Sequence, residues 1–209
     1  MPPRILRKPL KSYHHGDLRD ALVQAALQEA ELGGPEAVSI SGLAKKLGVS
    51  QPAPYKHFAD RETLMAAVTV EAFHQFTASL RESIAKPSSR SKLSRLAHAT
   101  LDFGLRRNGL YRLMFASRVV SSAPKDSEIH GAAAETFRLL VDALEAPAIG
   151  FLRERSALKI WAALHGVVTL AEQGLMTGEI AHASREELVE DIVAEAKLSL
   201  SLAIEAAGA

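Results

Sequence analysis

The sequence predicts an all-α protein, with an N-terminal three-helix helix-turn-helix domain followed by a larger helical domain. Apolar residues recur at spacings of three and four along most of the chain, as they do on one face of a helix. No stretch alternates apolar and polar residues like a half-buried strand, and no internal repeat is visible. Hydrophobic residues make up 47% of the 209 residues but aromatic residues only 5%. This composition favours closely packed helices and excludes a globally disordered chain.

The first two helices are predicted from their ends. Helix one begins near Asp17, whose carboxylate suits the positive end of the helix dipole, and ends at Gly33-Gly34-Pro35. Helix two begins after Ser39, a good N-cap residue, and Gly48 ends it, because glycine readily takes the left-handed conformation of a sharp turn. Its buried stripe consists of Ile40, Leu43, Ala44 and Leu47.

A third helix is predicted to begin at Ser50 and to expose polar side chains, while Phe58 packs inward. A helix, a glycine turn and a second helix with a polar face are typical of a helix-turn-helix, whose second helix enters the DNA major groove. An ordinary αα-hairpin is the alternative interpretation of this stretch.

Five longer helices and one short apolar segment follow. Asp60 caps the first of these helices, and Ser184 with Glu187 fits a capping box before the last. The helices cover about 60–86, 91–107, 127–145, 153–176 and 184–205, the short segment covers 110–117, and residues 87–91 and 121–126 form loops. Their predicted breaks are Asn108-Gly109, Ala146-Pro147 with Gly150, and Thr177-Gly178. The predicted domain limits are 1–12 for a flexible arm, 13–62 for the helix-turn-helix domain and 63–209 for the C-terminal domain.

Positive charge is concentrated at the N-terminal end. The net charge is only +1, yet residues 1–11 contain four basic residues and no acidic one. This arm either reaches DNA phosphates or the minor groove, through Arg4, Arg7 and Lys8, or is a solvated tail.

Several classes of protein are excluded. No run of about 18 apolar residues predicts a membrane-spanning helix, and the N-terminus lacks the apolar core of a secretory signal. The chain has no cysteine, which excludes disulfides, thiolate catalysis and zinc-cysteine sites. We therefore expect a cytoplasmic protein without a metal or another cofactor.

The residues from about Tyr13 to Ala72 resemble the DNA-binding domain of TetR/AcrR-type transcriptional regulators. The matching features are the first helix, I-S-G-L-A-K-K-L-G-V-S, then Y-K-H-F, then A-D-R-E-T-L. The later W-A-A-L-H-G, Trp161 to Gly166, resembles the signature of regulators with a C-terminal WHG domain.

The resemblance implies a homodimer that acts as a ligand-responsive repressor. Three N-terminal helices would bind DNA, six or so further helices would form a ligand-binding core, and the last two would pair with a partner in a four-helix bundle. A small-molecule effector would change the separation of the two DNA-binding domains and release the operator. Because two such domains meet successive major grooves about 34–36 Å apart, the operator is expected to be palindromic.

The expected DNA contacts lie in and around the third helix. The Gln51 amide can bond adenine in a bidentate way, and Ala53 can touch a thymine methyl group. The resemblance implies phosphate and groove contacts for Tyr55, Lys56 and His57. The full predicted set is Ser39, Lys45, Ser50, Gln51, Ala53, Tyr55, Lys56 and His57. Ser39 and Lys45 are weaker phosphate candidates, as are His14 and Lys46 outside this set. A solvated helix face is the alternative role for the polar members.

Pro54 departs from the usual pattern of such a helix. Pro52 is harmless in a first turn, because the early N–H groups there have no intrahelical partner. Pro54 removes the first backbone bond of the helix and crowds the carbonyl of Ser50. We therefore expect a tightened or irregular first turn.

The helix around Trp161 has two faces. The small-residue face is assigned to the dimer interface together with residues of the last helix, namely Ala163, Val167, Leu170, Gly174, Val189, Ile192, Val193, Ala196 and Leu200. Trp161 and His165 share the other face, which is assigned to a largely apolar ligand pocket with Phe103, Tyr111, Met114, Phe115, Phe137 and Leu140. Plain intramolecular core is the alternative for either face. Arg112, Arg118 and Arg138 either bind an anionic effector or lie on the surface.

Two other functions compete with a ligand-responsive regulator. One is an effector-independent architectural DNA binder. The other is a small helical enzyme that uses His165 as a general base, but no nucleophile, paired acid or metal-ligand spacing accompanies that histidine. We therefore predict that the protein is not an enzyme, and that its partners are double-stranded DNA, a second copy of itself and a small molecule.

Overall fold

The computed structural model describes residues 15–145, 150–176 and 182–208, and these ranges contain helices and no strand. The α-helices are α1 His15–Gly33, α2 Ile40–Leu47, α3 Arg61–Ala85, α4 Lys92–Arg106, α5 Asn108–Phe115, α6 Arg118–Ser122, α7 Glu128–Ala143, α8 Gly150–Glu172 and α9 Arg185–Gly208. Two 3₁₀ turns, Pro35–Ala37 and Pro54–Lys56, lie on either side of α2. The all-α prediction is confirmed. Within these ranges no helix is both long enough and apolar enough to cross a membrane.

Both ends of α2 form as predicted. The Ser39 hydroxyl accepts a hydrogen bond from the N–H of Gly42 at 3.2 Å. Gly48 has a φ of 67°, and the N–H groups of Gly48 and Val49 donate to carbonyls of the last helical turn at 3.2 and 3.0 Å. These paired bonds are those of a Schellman motif, which needs a left-handed residue at the position of the glycine.

The predicted third helix is wrong, because no α-helix forms between residues 50 and 57. Pro54 has no N–H to donate to the Ser50 carbonyl, and its ring crowds that group. The Ser50 carbonyl accepts instead from the N–H of Ala53 at 2.9 Å, which tightens the chain into a turn before the 3₁₀ turn. The irregularity expected from Pro54 therefore extends over the whole segment. Phe58 is buried, as predicted.

α3 connects the N-terminal helices with the rest of the protein. Asp60 caps it as predicted, since Asp60 Oδ1 accepts from the N–H and the hydroxyl of Thr63 at 2.7 and 2.8 Å. The helix packs against α1 as well as α4, α5 and α7. One continuous cluster of buried apolar side chains runs from Leu22 in α1 to Leu200 in α9. We call α1, α2 and the two 3₁₀ turns the head, and α4 to α9 the body.

Asn108 and Gly109 begin α5 and do not end the preceding helix, which corrects the prediction. Gly109 lies against the end of α1, where a Cβ atom would be 2.0 Å from the carbonyl oxygen of Ala30. The short segment predicted at 110–117 is thus part of a helix, and the glycine permits close contact between helices.

Three other predicted boundaries are wrong. α6 extends to Ser122, into the predicted loop at 121–126, and Gly150 begins α8. α8 ends at Glu172 and not at Met176, because Gly174 takes a φ of 70° and closes a second Schellman motif. The predicted breaks Ala146-Pro147 and Thr177-Gly178 lie outside the described residues.

α8 and α9 pack along one another on one side of α4. The predicted capping box at the start of α9 is confirmed. The N–H of Glu187 donates to Ser184 Oγ at 3.1 Å, and the N–H of Ser184 donates to Glu187 Oε2 at 2.7 Å.

Candidate nucleic-acid interface and helical core

The turn between α2 and α3 presents polar side chains to solvent. Gln51, Tyr55 and Lys56 are exposed, with 55% of Tyr55 accessible. Phe58 lies buried beneath them, and the Arg19 guanidinium of α1 stands 5.4 Å from the centroid of its ring. The turn is therefore anchored to α1 on its inner side and open on its outer side.

Some predicted contact residues already have partners within the head. The Ser39 hydroxyl is used as the cap of α2, and Gln51 Nε2 donates to the Ser41 carbonyl at 3.4 Å. Lys46 Nζ lies 2.7 Å from Glu29 Oε1, which ties α2 to α1. A nucleic acid would have to compete with these internal bonds for the same donor and acceptor groups.

The remaining predicted contact residues divide by exposure. Lys45, Ser50, Tyr55 and Lys56 are exposed, whereas Ala53 and His57 are half-buried. His57 lines a cleft on the side of the head that faces the body. His14 and the basic arm lie outside the described residues.

Arg61 supports this surface from behind, a role that the sequence analysis missed. Its Nε donates to the carbonyl of Val38 at 2.9 Å, and its Nη2 donates to that of Pro35. The first residue of α3 thereby holds the chain segment that leads into α2. A guanidinium can donate to two carbonyls because its N–H groups are fixed in a fork. Residue spacing in the sequence does not show which two carbonyls lie near Arg61, so this role could not be predicted.

A second arginine joins the body to the head. Arg107, the residue between α4 and α5, donates to both carboxylate oxygens of Glu31 in α1, and its Nη1 donates to Gln75 of α3 at 2.8 Å. The Arg107 side chain holds the pKa of Glu31 below its ordinary value. Next to this pair, Arg112 Nη2 of α5 lies 3.6 Å from Glu36 Oε2 of the head. α5 and the residue just before it thus contact the head through two ion pairs.

The predicted pocket residues come together as an aromatic cluster around α5 and α8. His165 Nδ1 lies 3.2 Å from the Tyr111 hydroxyl, and the two rings stack with centroids 5.6 Å apart. The Phe115 ring meets that of Trp161 edge to face at 5.7 Å, and Phe137 lies 5.3 Å from Trp161 on the other side. Burial lowers the pKa of His165 and raises that of Tyr111, so both are neutral at pH 7.

The cluster is closely packed. A space of about 20 Å³ lies beside Trp161, lined by six apolar side chains and the threonines Thr100 and Thr136. Such a space holds about one water molecule. Of the predicted pocket residues, Trp161 and Leu140 line it, while Phe103, Tyr111 and Met114 are buried in the surrounding core.

A larger cleft, which the sequence did not predict, separates the head from the body. Its volume is about 780 Å³. Its walls come from the head, from the start of α3, from α6 and from the start of α7, and Arg118 is one of the residues that line it. Acidic and basic side chains both line it, among them Arg61, Glu62 and Glu128.

The outer face of α8 and α9 exposes large apolar side chains. Leu158, Leu198 and Leu202 are 61%, 63% and 56% accessible. A Cβ atom at Gly166 would meet no atom within 4 Å, so the surface above it is open. A groove of about 300 Å³ runs between the two helices.

Part of the predicted dimer interface is not exposed on this face. Val167, Val189, Val193 and Leu200 are buried inside the chain, because they pack α8 and α9 against the body and each other, so a partner cannot reach them. Gly174 lies in the turn after α8. The predicted residues Ala163, Ile192 and Ala196 line the groove, and Leu170 is exposed.

Within residues 15–145, 150–176 and 182–208, no three His, Cys, Asp or Glu side chains lie close enough together to hold a metal ion.

Comparison with protein-family models gives two matches. Residues 22–68 match the model for bacterial regulatory proteins of the tetR family, and residues 93–196 match the model for the tetracyclin repressor-like C-terminal domain. The two matches cover the head from Leu22 onward, α3 as far as Val68, and most of the body.

Two curated proteins are similar in sequence. The chain is 29% identical over 90 residues to YobS of Bacillus subtilis, an uncharacterized HTH-type transcriptional regulator, and this match covers 43% of the chain and 47% of YobS. The chain thus spans about half the length of that relative. It is 26% identical over 162 residues to Rv0681 of Mycobacterium tuberculosis, described in the same words, which covers 76% of the chain and 72% of Rv0681.

A solved structure of similar fold comes from Rhodococcus sp. RHA1. It has a TM-score of 0.74 and 29% sequence identity, and the match covers 91% of this chain and 98% of that one. It is described as a protein with unknown function, so it supports the fold and adds nothing about a ligand.

Proposed function

The chain belongs to the TetR family of bacterial regulatory proteins, and from this premise we propose that it is a dimeric, ligand-responsive repressor that binds a palindromic operator. As a member of this family it is a DNA-binding transcriptional regulator and not an enzyme. The dimer, the effector and the direction of regulation are the proposed parts.

The exposed side of the turn between α2 and α3 is the proposed DNA-contact surface. Lys45 and Lys56 would bind phosphates, and Tyr55 and Ser50 would add hydroxyl contacts to the backbone. Gln51 can read a base edge only after it gives up its bond to the Ser41 carbonyl. Because the segment is a turn and not a regular helix, fewer side chains would reach base edges than from a continuous recognition helix.

The exposed face of α8 and α9 is the proposed dimer interface, occupied by a second copy of the chain. Leu158, Leu198 and Leu202 are large apolar side chains exposed on these two adjacent helices, and exposed apolar surface of this kind often marks an interaction site. The absence of a side chain at Gly166 leaves room for a partner helix to approach closely. A two-fold axis through this face would present two heads to DNA, as a palindromic operator requires.

The contacts that α5 makes on its two sides are the main support for the proposed ligand response. On one side, Tyr111 and Phe115 of α5 pack against Trp161 and His165 of α8. On the other side, the same helix contacts the head through Arg112 and, just before its start, Arg107. An effector that displaces the aromatic side chains would therefore shift the helix that holds α1.

The packing of the aromatic cluster favours a second candidate, an effector-independent DNA binder. A space for one water molecule is not a preformed ligand pocket, since such pockets measure about 300–1,000 Å³. The two candidates differ in whether a ligand changes the affinity for DNA.

Selection of bound fragments from random DNA tests the first part of the proposal. We expect an enriched palindrome, bound with an affinity that falls steeply with salt, because phosphate contacts release counterions. Selected DNA without two-fold symmetry would contradict the dimeric operator.

A metabolite screen against the complex with the selected DNA tests the second part. Release by one class of small molecule supports the ligand-responsive regulator. Binding that no compound alters, with the aromatic core unchanged, favours the effector-independent one.

A further inference from the structure

The interior of the body contains no charged side chain among the fully buried residues that the structure describes. The buried polar side chains of α3 and the body are Thr69, Thr77, Ser94 and Thr136. The space beside Trp161 is lined by apolar groups and two threonines. Arg107, whose guanidinium lies 5.4 Å from the centroid of Phe103 at the edge of the aromatic cluster, is already paired with Glu31.

The two ionisable groups of the cluster are also uncharged. Burial lowers the pKa of His165, which favours the neutral imidazole at pH 7. Burial raises the pKa of Tyr111, so its phenol keeps the proton. A charged molecule placed here would lose its hydration and find no opposite charge, a situation that disfavours binding strongly.

The two threonines that line the space have already used their hydrogens. Thr100 Oγ1 donates to the Leu96 carbonyl at 2.9 Å, and Thr136 Oγ1 donates to the Ala132 carbonyl at 3.1 Å. Thr77 Oγ1 lies 2.7 Å from Thr136 Oγ1, and with the Thr136 hydrogen on the Ala132 carbonyl the hydrogen of this pair comes from Thr77. Since a hydroxyl has one hydrogen and two lone pairs, these side chains can accept a hydrogen bond from a ligand but cannot donate one.

We propose that the effector is an uncharged, largely apolar molecule that carries a hydrogen-bond donor, and that it binds by expanding the space between Trp161, Thr100 and Thr136. The class includes alcohols, phenols and neutral amides and excludes carboxylates. This inference rests on the proposed ligand response and names the chemistry of its effector.

One wall of the space allows such an expansion. Among the lining side chains, Leu140 and Trp161 are half-buried, whereas Phe76, Leu80, Leu96 and Leu164 are fully buried. Phe137, which packs on Trp161, is also half-buried. Movement of the half-buried side chains of α7 and α8 opens the space toward the surface and leaves the main core packed. Trp161 belongs to this wall and contacts Phe115 of α5, so its displacement reaches the helix that contacts the head.

The full chain supplies its own reporter for the test, because Trp161 is its one tryptophan. Three probes with the same alkyl chain separate charge from hydrogen bonding: 1-octanol is a neutral donor, octyl methyl ether is neutral with an acceptor only, and octanoate is an anion. Each is titrated while Trp161 emission is recorded, and the same samples are assayed for operator binding by fluorescence anisotropy. We expect 1-octanol to bind most tightly and octanoate more than about tenfold less tightly.

Four variants locate the binding site. Thr100→Val removes one of the two acceptors and should reduce the preference for 1-octanol over the ether, while Thr100→Ser should keep it. Leu140→Phe fills the space and should weaken binding of 1-octanol. Val119→Phe, its matched control, fills part of the cleft between head and body and should leave binding unchanged.

The outcomes separate this inference from the proposed function. Octanoate that binds as tightly as 1-octanol and releases the operator overturns the effector class while the ligand response stands. Binding that survives Leu140→Phe but is lost in Val119→Phe overturns the site. Emission that none of the probes changes, in a protein that still binds its palindrome, overturns the inference and leaves the DNA-binding regulator intact.

Discussion

Arg107 and Glu31 form a two-point ion pair that joins the body to the head. Arg107 Nε lies 2.5 Å from Glu31 Oε1, and Nη2 lies 2.8 Å from Oε2. Paired bonds of this kind fix the orientation of both side chains as well as their distance. The end of α1 therefore cannot turn relative to the α4–α5 junction without breaking the pair.

Removal of the Glu31 charge should lower stability at neutral pH but not in acid. The Arg107 guanidinium lowers the pKa of Glu31 from its ordinary 4.5, so the folded state gains stability above that value and loses it as the pH falls through the folded pKa. We expect Glu31→Gln to reduce the free energy of unfolding by about 1 kcal/mol at pH 7, because the pair is partly exposed and partly screened. Urea unfolding at neutral and acid pH measures the difference. A constant difference at both pH values would contradict the assignment.

Gly109→Ala should destabilise the junction of α5 with α1. A Cβ atom at this position would lie 2.0 Å from the Ala30 carbonyl oxygen and 2.6 Å from that of Glu31, so one of the helices must move. We expect a loss of more than about 2 kcal/mol in thermal unfolding.

Gly131→Ala is the matched control for that variant. Gly131 lies within α7, and a Cβ atom there meets nothing within 4 Å. Because alanine is the better helix former, we expect a gain of up to about 1 kcal/mol. Equal effects of the two substitutions would show that the α1–α5 contact is not the cause.

Lys56→Ala should weaken operator binding at all sequences by a similar factor. Lys56 is exposed on the outer side of the turn, which is the proposed DNA-contact surface. Loss of one phosphate contact should reduce the slope of log affinity against log salt by about one. Fluorescence anisotropy over a salt series measures this slope. Lys92→Ala, which removes a cation paired with Glu145 in the body, should leave both affinity and slope unchanged.

Leu198→Glu should convert the proposed dimer into a monomer. Leu198 is 63% exposed on the outer face of α9, where a partner would bury the introduced charge without a counter-ion. Light scattering gives the mass, and anisotropy should report weaker binding to the palindrome. Leu32→Glu replaces an even more exposed leucine, 87% accessible at the end of α1, and should change neither. A Leu198→Glu protein that remains dimeric would place the interface elsewhere.

Particular residues show how far the sequence predicted the fold. Ser39, Gly48, Asp60 and the Ser184–Glu187 box marked helix ends correctly, because a cap depends on bonds within a few residues of itself. The prediction at Gly109 was wrong because glycine occurs both at helix breaks and where two helices approach closely. Only the packing against α1 shows that the second role applies here. Gly174 ended α8 earlier than the apolar pattern suggested.

The candidate sites were predicted only in part, because local sequence patterns do not show how distant segments pack. The residues around Trp161 and His165 do cluster, as helical spacing indicated, but the spacing carried no information about how tightly they pack. Val167 and Val193 share the small apolar character of interface residues, yet they are used inside the chain. The 780 Å³ cleft has walls from the head, α6 and α7, and no local signal joins these segments.

By itself, the sequence determined the helical class, most of the helix ends and the resemblance to the TetR family, because these follow from short-range patterns of apolar residues, caps and breakers. The tertiary structure decided that Pro54 leaves a turn in place of a recognition helix, which apolar faces stay exposed, and which charges connect head and body. Arg107 and Glu31 are 76 residues apart in the chain. Contacts over such separations depend on how the helices pack, and the free energy of packing depends on the whole core.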